Sequence, residues 1–233
     1  MFEGFSKETG EFLWELSFHN ERPWFLEHKD QFERVLNLPF KELARETAGL
    51  LQARFPAMEV QLHVSRIYRD ARRLFGRGPY KDHLWFTLWD GSAGRDGPCF
   101  WFEIGAATYS YGVGHFDVTP AEMALFRQSI DANPARFTRL AQEIARMPGH
   151  RIIGRPYARP KGEYPEPVAS WYNRRQVGVE FLRDLEGDAF TPALPGILAE
   201  AFTALTPMYE YLAQVHRAAG KAGQAAPDGR SHG

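Results

Sequence analysis

Cys99-Phe100-Trp101-Phe102-Glu103-Ile104-Gly105-Ala106-Ala107-Thr108-Tyr109-Ser110-Tyr111-Gly112-Val113-Gly114-His115-Phe116 decides the fold. It reads as two strands, Cys99 to Gly105 and Thr108 to Phe116, joined by a connection so short that only an antiparallel hairpin can form. Upstream, His83 to Trp89 alternates, with Leu84, Phe86 and Leu88 on one face. Earlier still, Val60 to Asp70 puts Val60, Leu62, Val64, Arg66 and Tyr68 on one face and Gln61, His63, Ser65, Ile67 and Arg69 on the other. Downstream, Val177, Val179 and Phe181 predict a fifth strand. The expectation is an antiparallel meander of four to five strands rather than a doubly wound parallel sheet.

Helices flank this section. Ser6 caps a helix running to Phe18, and Pro23 starts a second. Pro39 is expected to end that one and start a third, which Phe55-Pro56 stops. Thr119-Pro120-Ala121-Glu122 is a capping box with proline in the first helical position, and Asn133-Pro134 opens the next helix. Residues 151–168 hold Pro156, Pro160, Pro165 and Pro167 and read as an extended surface segment. Ala169 to Arg175 is a short helical turn, and Pro195 to Arg217 a last helix that Pro207 bends or divides. The predicted class is α+β: a sheet covered by helices from the N- and C-terminal parts, forming one domain over 1–217, with a disordered tail over 218–233.

Composition narrows the function classes. The 233 residues are 44% hydrophobic and 14% aromatic, ample for a packed core. A net charge of −1 argues against a general nucleic-acid binder. No apolar run approaches the roughly 18 residues of a membrane span, and Met1 to Phe5 lacks the basic and apolar regions of a secretory leader. Cys99 is the only cysteine, so no internal disulfide can form, and a cytoplasmic location is expected.

Against that neutral background, Arg66-Ile67-Tyr68-Arg69-Asp70-Ala71-Arg72-Arg73-Leu74-Phe75-Gly76-Arg77-Gly78-Pro79-Tyr80-Lys81 holds six Lys/Arg and one acid. It reads as a strand end running into a glycine-broken loop. Arg66, on a face shared with Val60, Leu62 and Val64, is expected to be partly buried and paired with a carboxylate such as Asp70, because an unpaired buried charge is costly. Arg69, Arg72, Arg77 and Lys81 are expected to converge on an anion, Arg offering a planar fork and Lys a point charge. Gly76 and Gly78 allow backbone N–H groups close to a ligand, and Pro79 fixes the chain before Tyr80. The loop lacks the spacing of a P-loop, and the sequence names no cofactor.

Asn20-x-Arg22-x-Trp24-Phe25, the Arg66 to Arg72 stretch and Pro79-Tyr80-Lys81 together resemble the uncharacterised microbial "domain of unknown function 2461" family. Gly112-x-Gly114-x-Phe116, Arg127-x3-Asp131 and Pro160-Lys161-Gly162 are similar to its later motifs, so the resemblance spans residues 2–185. It implies no activity. The folding back of the glycine-broken loop is expected to bring Arg69, Arg72, Tyr80 and Lys81 to line one pocket, and the resemblance places Trp24, beside Arg22, at its wall. Where the family tends to have Phe-Ser-Lys-Asp-Lys, this chain has Arg73-Leu74-Phe75-Gly76-Arg77, without the Lys-Asp pair.

The resulting expectation is a domain binding a small phosphate- or carboxylate-bearing ligand, with or without catalysis. A protein-interaction domain with structural arginine salt bridges is the alternative, and a nucleic-acid-associated protein the third reading. His63, His83 and His115 with Asp117 form an alternative metal set, although their spacing matches no ligand motif. Cys99, between Pro98 and Phe100 on a strand, reads as a buried apolar group.

Overall fold

The computed structural model describes residues 1–70, 72 and 76–225. Ala71, Arg73, Leu74 and Phe75 of the basic loop lie outside them. Six strands form one antiparallel sheet: β1 (Val60–Val64), β2 (Leu84–Asp90), β3 (Cys99–Ile104), β4 (Thr108–His115), β5 (His150–Ile153) and β6 (Val177–Asp184), in the order β1-β2-β3-β4-β6-β5. The expected meander is the β1–β4 part. The sixth strand is β5, whose four residues sit between a Pro-Gly turn and the proline-rich segment and are too few to show a period of two.

Alternation gives the sheet two different faces. On one, Phe86, Phe102, Tyr111 and Phe181 lie in register across β2, β3, β4 and β6, with ring centroids 5.4 Å apart for Phe86–Phe102 and 5.3 Å for Tyr111–Phe181. Helices cover this face. Phe40 of α4 (Leu38–Arg54) meets Phe86 at 5.7 Å, while Phe202 and Tyr209 of α8 (Leu194–Ala225) stack on Phe100 at 5.1 and 4.8 Å. The Tyr209 hydroxyl accepts the Asp90 backbone N–H at 2.7 Å. The other face carries His63, Trp85, Thr87, Trp101 and Glu103, and the cavities discussed below lie on it.

The remaining α-helices among the described residues are α1 (Lys7–Phe18), α2 (Arg22–Glu27), α3 (Lys29–Phe32), α5 (Pro120–Ala132), α6 (Pro134–Ala145) and the short α7 (Ala169–Tyr172). The capping box at Thr119 forms as read: the Glu122 N–H donates to Thr119 Oγ1 at 3.2 Å and the Thr119 N–H to Glu122 Oε2 at 2.6 Å. Neither Pro39 nor Pro207 divides its helix. Before Pro39 the helix does not break; it widens into a π turn over Glu33–Asn37, which makes room where the proline ring would strike the preceding turn, and continues as α4. Pro207 lies inside an unbroken α8, which runs on to Ala225 rather than stopping at Arg217. The tail expected to be disordered from 218 is therefore helical to Ala225, and residues 226–233 lie outside those described. No helix among the described residues is long and apolar enough to cross a membrane.

Candidate functional site

The basic loop closes on itself. Tyr68 and Tyr80 form an antiparallel bridge, with the Arg69 N–H donating to the Pro79 carbonyl and the Lys81 N–H to the Ile67 carbonyl, both at 2.7 Å. Asn20 locks the returning strand: its amide accepts the Tyr80 N–H and donates to the Tyr80 carbonyl, each at 2.9 Å. Phe25 stacks on the buried Tyr80 ring at 4.1 Å. A Cβ at residue 78 would stand 2.3 Å from the Asn20 carbonyl oxygen, so only glycine fits there. The Asn-x-Arg-x-Trp-Phe motif thus holds the loop from behind.

The face expected for Arg66 is corrected. After Val64 the chain leaves the regular ladder: the Ser65 N–H donates to the Trp85 carbonyl at 2.8 Å, but the Trp85 N–H returns to the Ser65 hydroxyl at 3.0 Å. The alternation resets, burying Ser65 and Ile67 and exposing Arg66 and Tyr68. Among the described residues no carboxylate lies within ion-pair distance of Arg66, so the expected Arg66–Asp70 pair is not made. The Asp70 carboxylate is held by Arg72 at 2.6 Å.

Arg66, Arg69, Arg72 and Lys81 line one cleft of about 620 Å³, together with His63, Ser65, Tyr68, Asp70, Trp85 and Arg95. Arg22, Trp24, Arg77 and Tyr80 do not line it. Trp24 is held between His19 and His28, with ring centroids 5.6 and 4.0 Å away, and belongs to the support behind the loop. Arg69 is largely committed to its surroundings, donating to the Tyr80 carbonyl at 2.7 Å and lying 3.4 Å from Asp82. Arg66, Lys81 and Arg95 have no ion-pair partner among the described residues. Lys81 Nζ donates to the Arg66 carbonyl at 2.7 Å and lies 5.6 Å from the centre of the Trp85 ring.

Arg95 has no counterpart in the sequence reading. It sits on the β2–β3 hairpin loop, at the far end of β2 from the basic loop, and reaches the cleft because that loop folds back along the sheet. A second cavity of about 420 Å³ shares His63, Trp85 and Arg95 with the cleft and continues over Trp101 and Glu103 to Asp117. The result is one groove, basic at the β1 end and aromatic and acidic over β3.

Titration in the groove follows its charge. Burial, then Arg95, Lys81 and Arg66, push His63 below its ordinary value. Burial, then Arg69 and Arg66, push Lys81 down as well. Burial pushes the Glu103 carboxyl up, with His83 opposing and Glu180 adding to the rise. Three perturbed groups on one concave face are a feature of ligand sites. Cys99 also borders the groove, but burial pushes its thiol up to about 12, which makes it a poor nucleophile.

The expected metal set does not assemble. β3 separates β2 from β4, so His83 and His115 lie two strands apart. His83 pairs with Asp82 at 2.9 Å, and His115 Nε2 lies 3.0 Å from the Asp96 carbonyl. His115 instead belongs to a different cluster, with Glu122 and His216.

The later motifs are also supports. A Cβ at residue 112 would stand 1.8 Å from the Val179 carbonyl oxygen, so Gly112 lets β4 and β6 approach. Asp131 accepts hydrogen bonds from the Tyr164 and Tyr172 hydroxyls at 2.7 and 3.0 Å, and the Asn173 amide oxygen accepts the Lys161 N–H at 2.7 Å. Both fasten the proline-rich segment to the body. No curated protein matches the chain. The family described as conserved hypothetical protein (DUF2461) matches residues 8–211, and the chain belongs to it.

Proposed function

We propose that the chain binds a small ligand carrying a phosphate or carboxylate group, seated between Arg66, Lys81 and Arg95, with the remainder of the ligand lying along Trp85 toward Trp101. The observation that carries this reading is three cations, two from the ends of the basic loop and one from the β2–β3 hairpin loop, lining one cleft with no carboxylate within ion-pair distance among the described residues. Arg69 and Arg72 have acidic partners, as the interaction-domain alternative expects of every arginine. The three that do not leave a net positive field in a concave, partly desolvated place, where an anion is held most strongly. Trp85 and Trp101 supply a flat apolar wall beside it, suited to a planar or hydrocarbon moiety.

A thermal-shift screen of phosphorylated metabolites and carboxylates at low ionic strength tests this on the wild type, Lys81→Ala and Arg95→Ala. An anion at about 100 times its dissociation constant adds about 2.7 kcal/mol, a rise of roughly 5–10 °C for a chain of this size. Each variant should bind about 10- to 100-fold more weakly, as expected from losing one charged hydrogen bond. The reading fails if no anion raises the wild-type melting temperature, or if both variants respond as the wild type does.

A further inference from the structure

Away from the groove, one cluster has the chemistry of a metal site. His115 at the end of β4, Glu122 in the first turn of α5 and His216 on α8 each bring a ligand atom within 4.8 Å of the others. Glu122 Oε1 lies 2.7 Å from His216 Nδ1 and 3.9 Å from His115 Nε2. In a tetrahedral zinc site with bonds of about 2.0–2.1 Å, neighbouring ligand atoms stand about 3.4 Å apart. The observed separations fall on both sides of that value, so side-chain shifts of less than about 1 Å would close the site.

We propose that His115, Glu122 and His216 bind one divalent transition-metal ion of the zinc class. Two imidazoles and a carboxylate suit zinc better than the oxygen-seeking calcium or magnesium. The fourth position falls to water or to the Asp96 carbonyl, 3.0 Å from His115 Nε2. The carboxylate is already oriented as a ligand, because Glu122 Oε2 accepts the Thr119 N–H at 2.6 Å and leaves Oε1 to face the histidines. His115 and Glu122 are 4% and 7% exposed, so the cation would be shielded from water on most sides.

The position gives the ion a structural task. It would tie α8 to the end of the interior strand β4 and to the β2–β3 hairpin loop. A Cβ at Gly97 would stand 3.1 Å from His216 Cδ2, so the loop already rests on that histidine. Asp96 and Gly97 directly follow Arg95, and holding them would fix the approach of Arg95 to the groove. The metal site itself does not depend on the anion reading.

The test uses the full chain, stripped with chelator and dialysed against Zn²⁺, with bound metal counted by mass spectrometry. One zinc per chain is expected for the wild type and for His63→Ala, whose histidine lies in the groove. His216→Ala should lose at least about 100-fold in zinc affinity while keeping its circular dichroism spectrum. Should that variant fail to fold, Co²⁺ on the wild type decides, since coordination of this kind gives the visible bands of tetrahedral cobalt(II). Less than one zinc per wild-type chain, undiminished zinc on folded His216→Ala, or a wild-type cobalt spectrum without tetrahedral bands overturns the proposal.

Discussion

Replacing Asn20 with alanine should loosen the basic loop from behind, and its cost can be worked from the contacts. The Asn20 amide makes two hydrogen bonds to the backbone of Tyr80, a residue sixty positions away and 3% exposed. In Asn20→Ala the Tyr80 carbonyl keeps a partner, because Arg69 Nε also donates to it at 2.7 Å. The Tyr80 N–H loses its acceptor. One lost hydrogen bond at about 1 kcal/mol plus an orphaned buried donor at about 1–3 kcal/mol gives about 2–4 kcal/mol. At roughly 2–4 °C per kcal/mol for a chain of this length, the melting temperature should fall by roughly 5–15 °C. Urea unfolding would give the free energy directly. Arg22→Ala is the control: its exposed side chain lies in the same motif, and its removal should cost no more than about 0.5 kcal/mol. Should Asn20→Ala melt within about 2 °C of the wild type, the argument that this motif clamps the loop is wrong.

Two further predictions concern the groove. The folded-state pKa of Glu103 lies above its ordinary 4.5, so the neutral carboxyl favours folding; that stability is present below about 4.5 and is lost as the pH rises through the raised value. Glu103→Gln should therefore melt with the wild type near about pH 4 and above it at about pH 8, and a difference that is the same at both pH values would contradict the assignment. Cys99, with its buried thiol pushed up to about 12, should resist a disulfide reagent in the native protein and react only on denaturation; fast native labelling would show it to be accessible.

What the sequence revealed depended on how locally each feature is encoded. The Cys99–Phe116 hairpin was legible because its turn and alternation lie within eighteen consecutive residues. The Thr119 cap was legible because all its groups lie within one helical turn. β5 was not, because four residues carry no period and its pairing with β6 is set by the sheet. Extending the alternation of β1 to Arg66 failed because the Ser65 hydroxyl takes over a backbone role, an event no pattern of apolar residues announces. In the cleft, Arg69, Arg72 and Lys81 were anticipated through their clustering in sequence, whereas Arg66 was expected in a structural ion pair and lines the cleft instead. Arg95 was missed because only the folding back of a hairpin loop brings it there. Trp24, Arg22 and Tyr80 were drawn in by their motif, whose residues Asn20, Phe25 and Tyr80 build the wall behind the loop. His216 was overlooked for a related reason: a lone histidine on the last helix gives no hint that it meets β4 and α5.

The measurement that bears most directly on the anion cleft is the titration of His63 by nuclear magnetic resonance, with and without inorganic phosphate. In the free protein burial and the charges of Arg95, Lys81 and Arg66 hold His63 below its ordinary 6.5. A phosphate seated among those cations would offset their field, so the His63 pKa should rise on phosphate addition, and should rise less in Arg95→Ala. A His63 titration curve that does not move at any phosphate concentration, while the protein stays folded, would contradict the account.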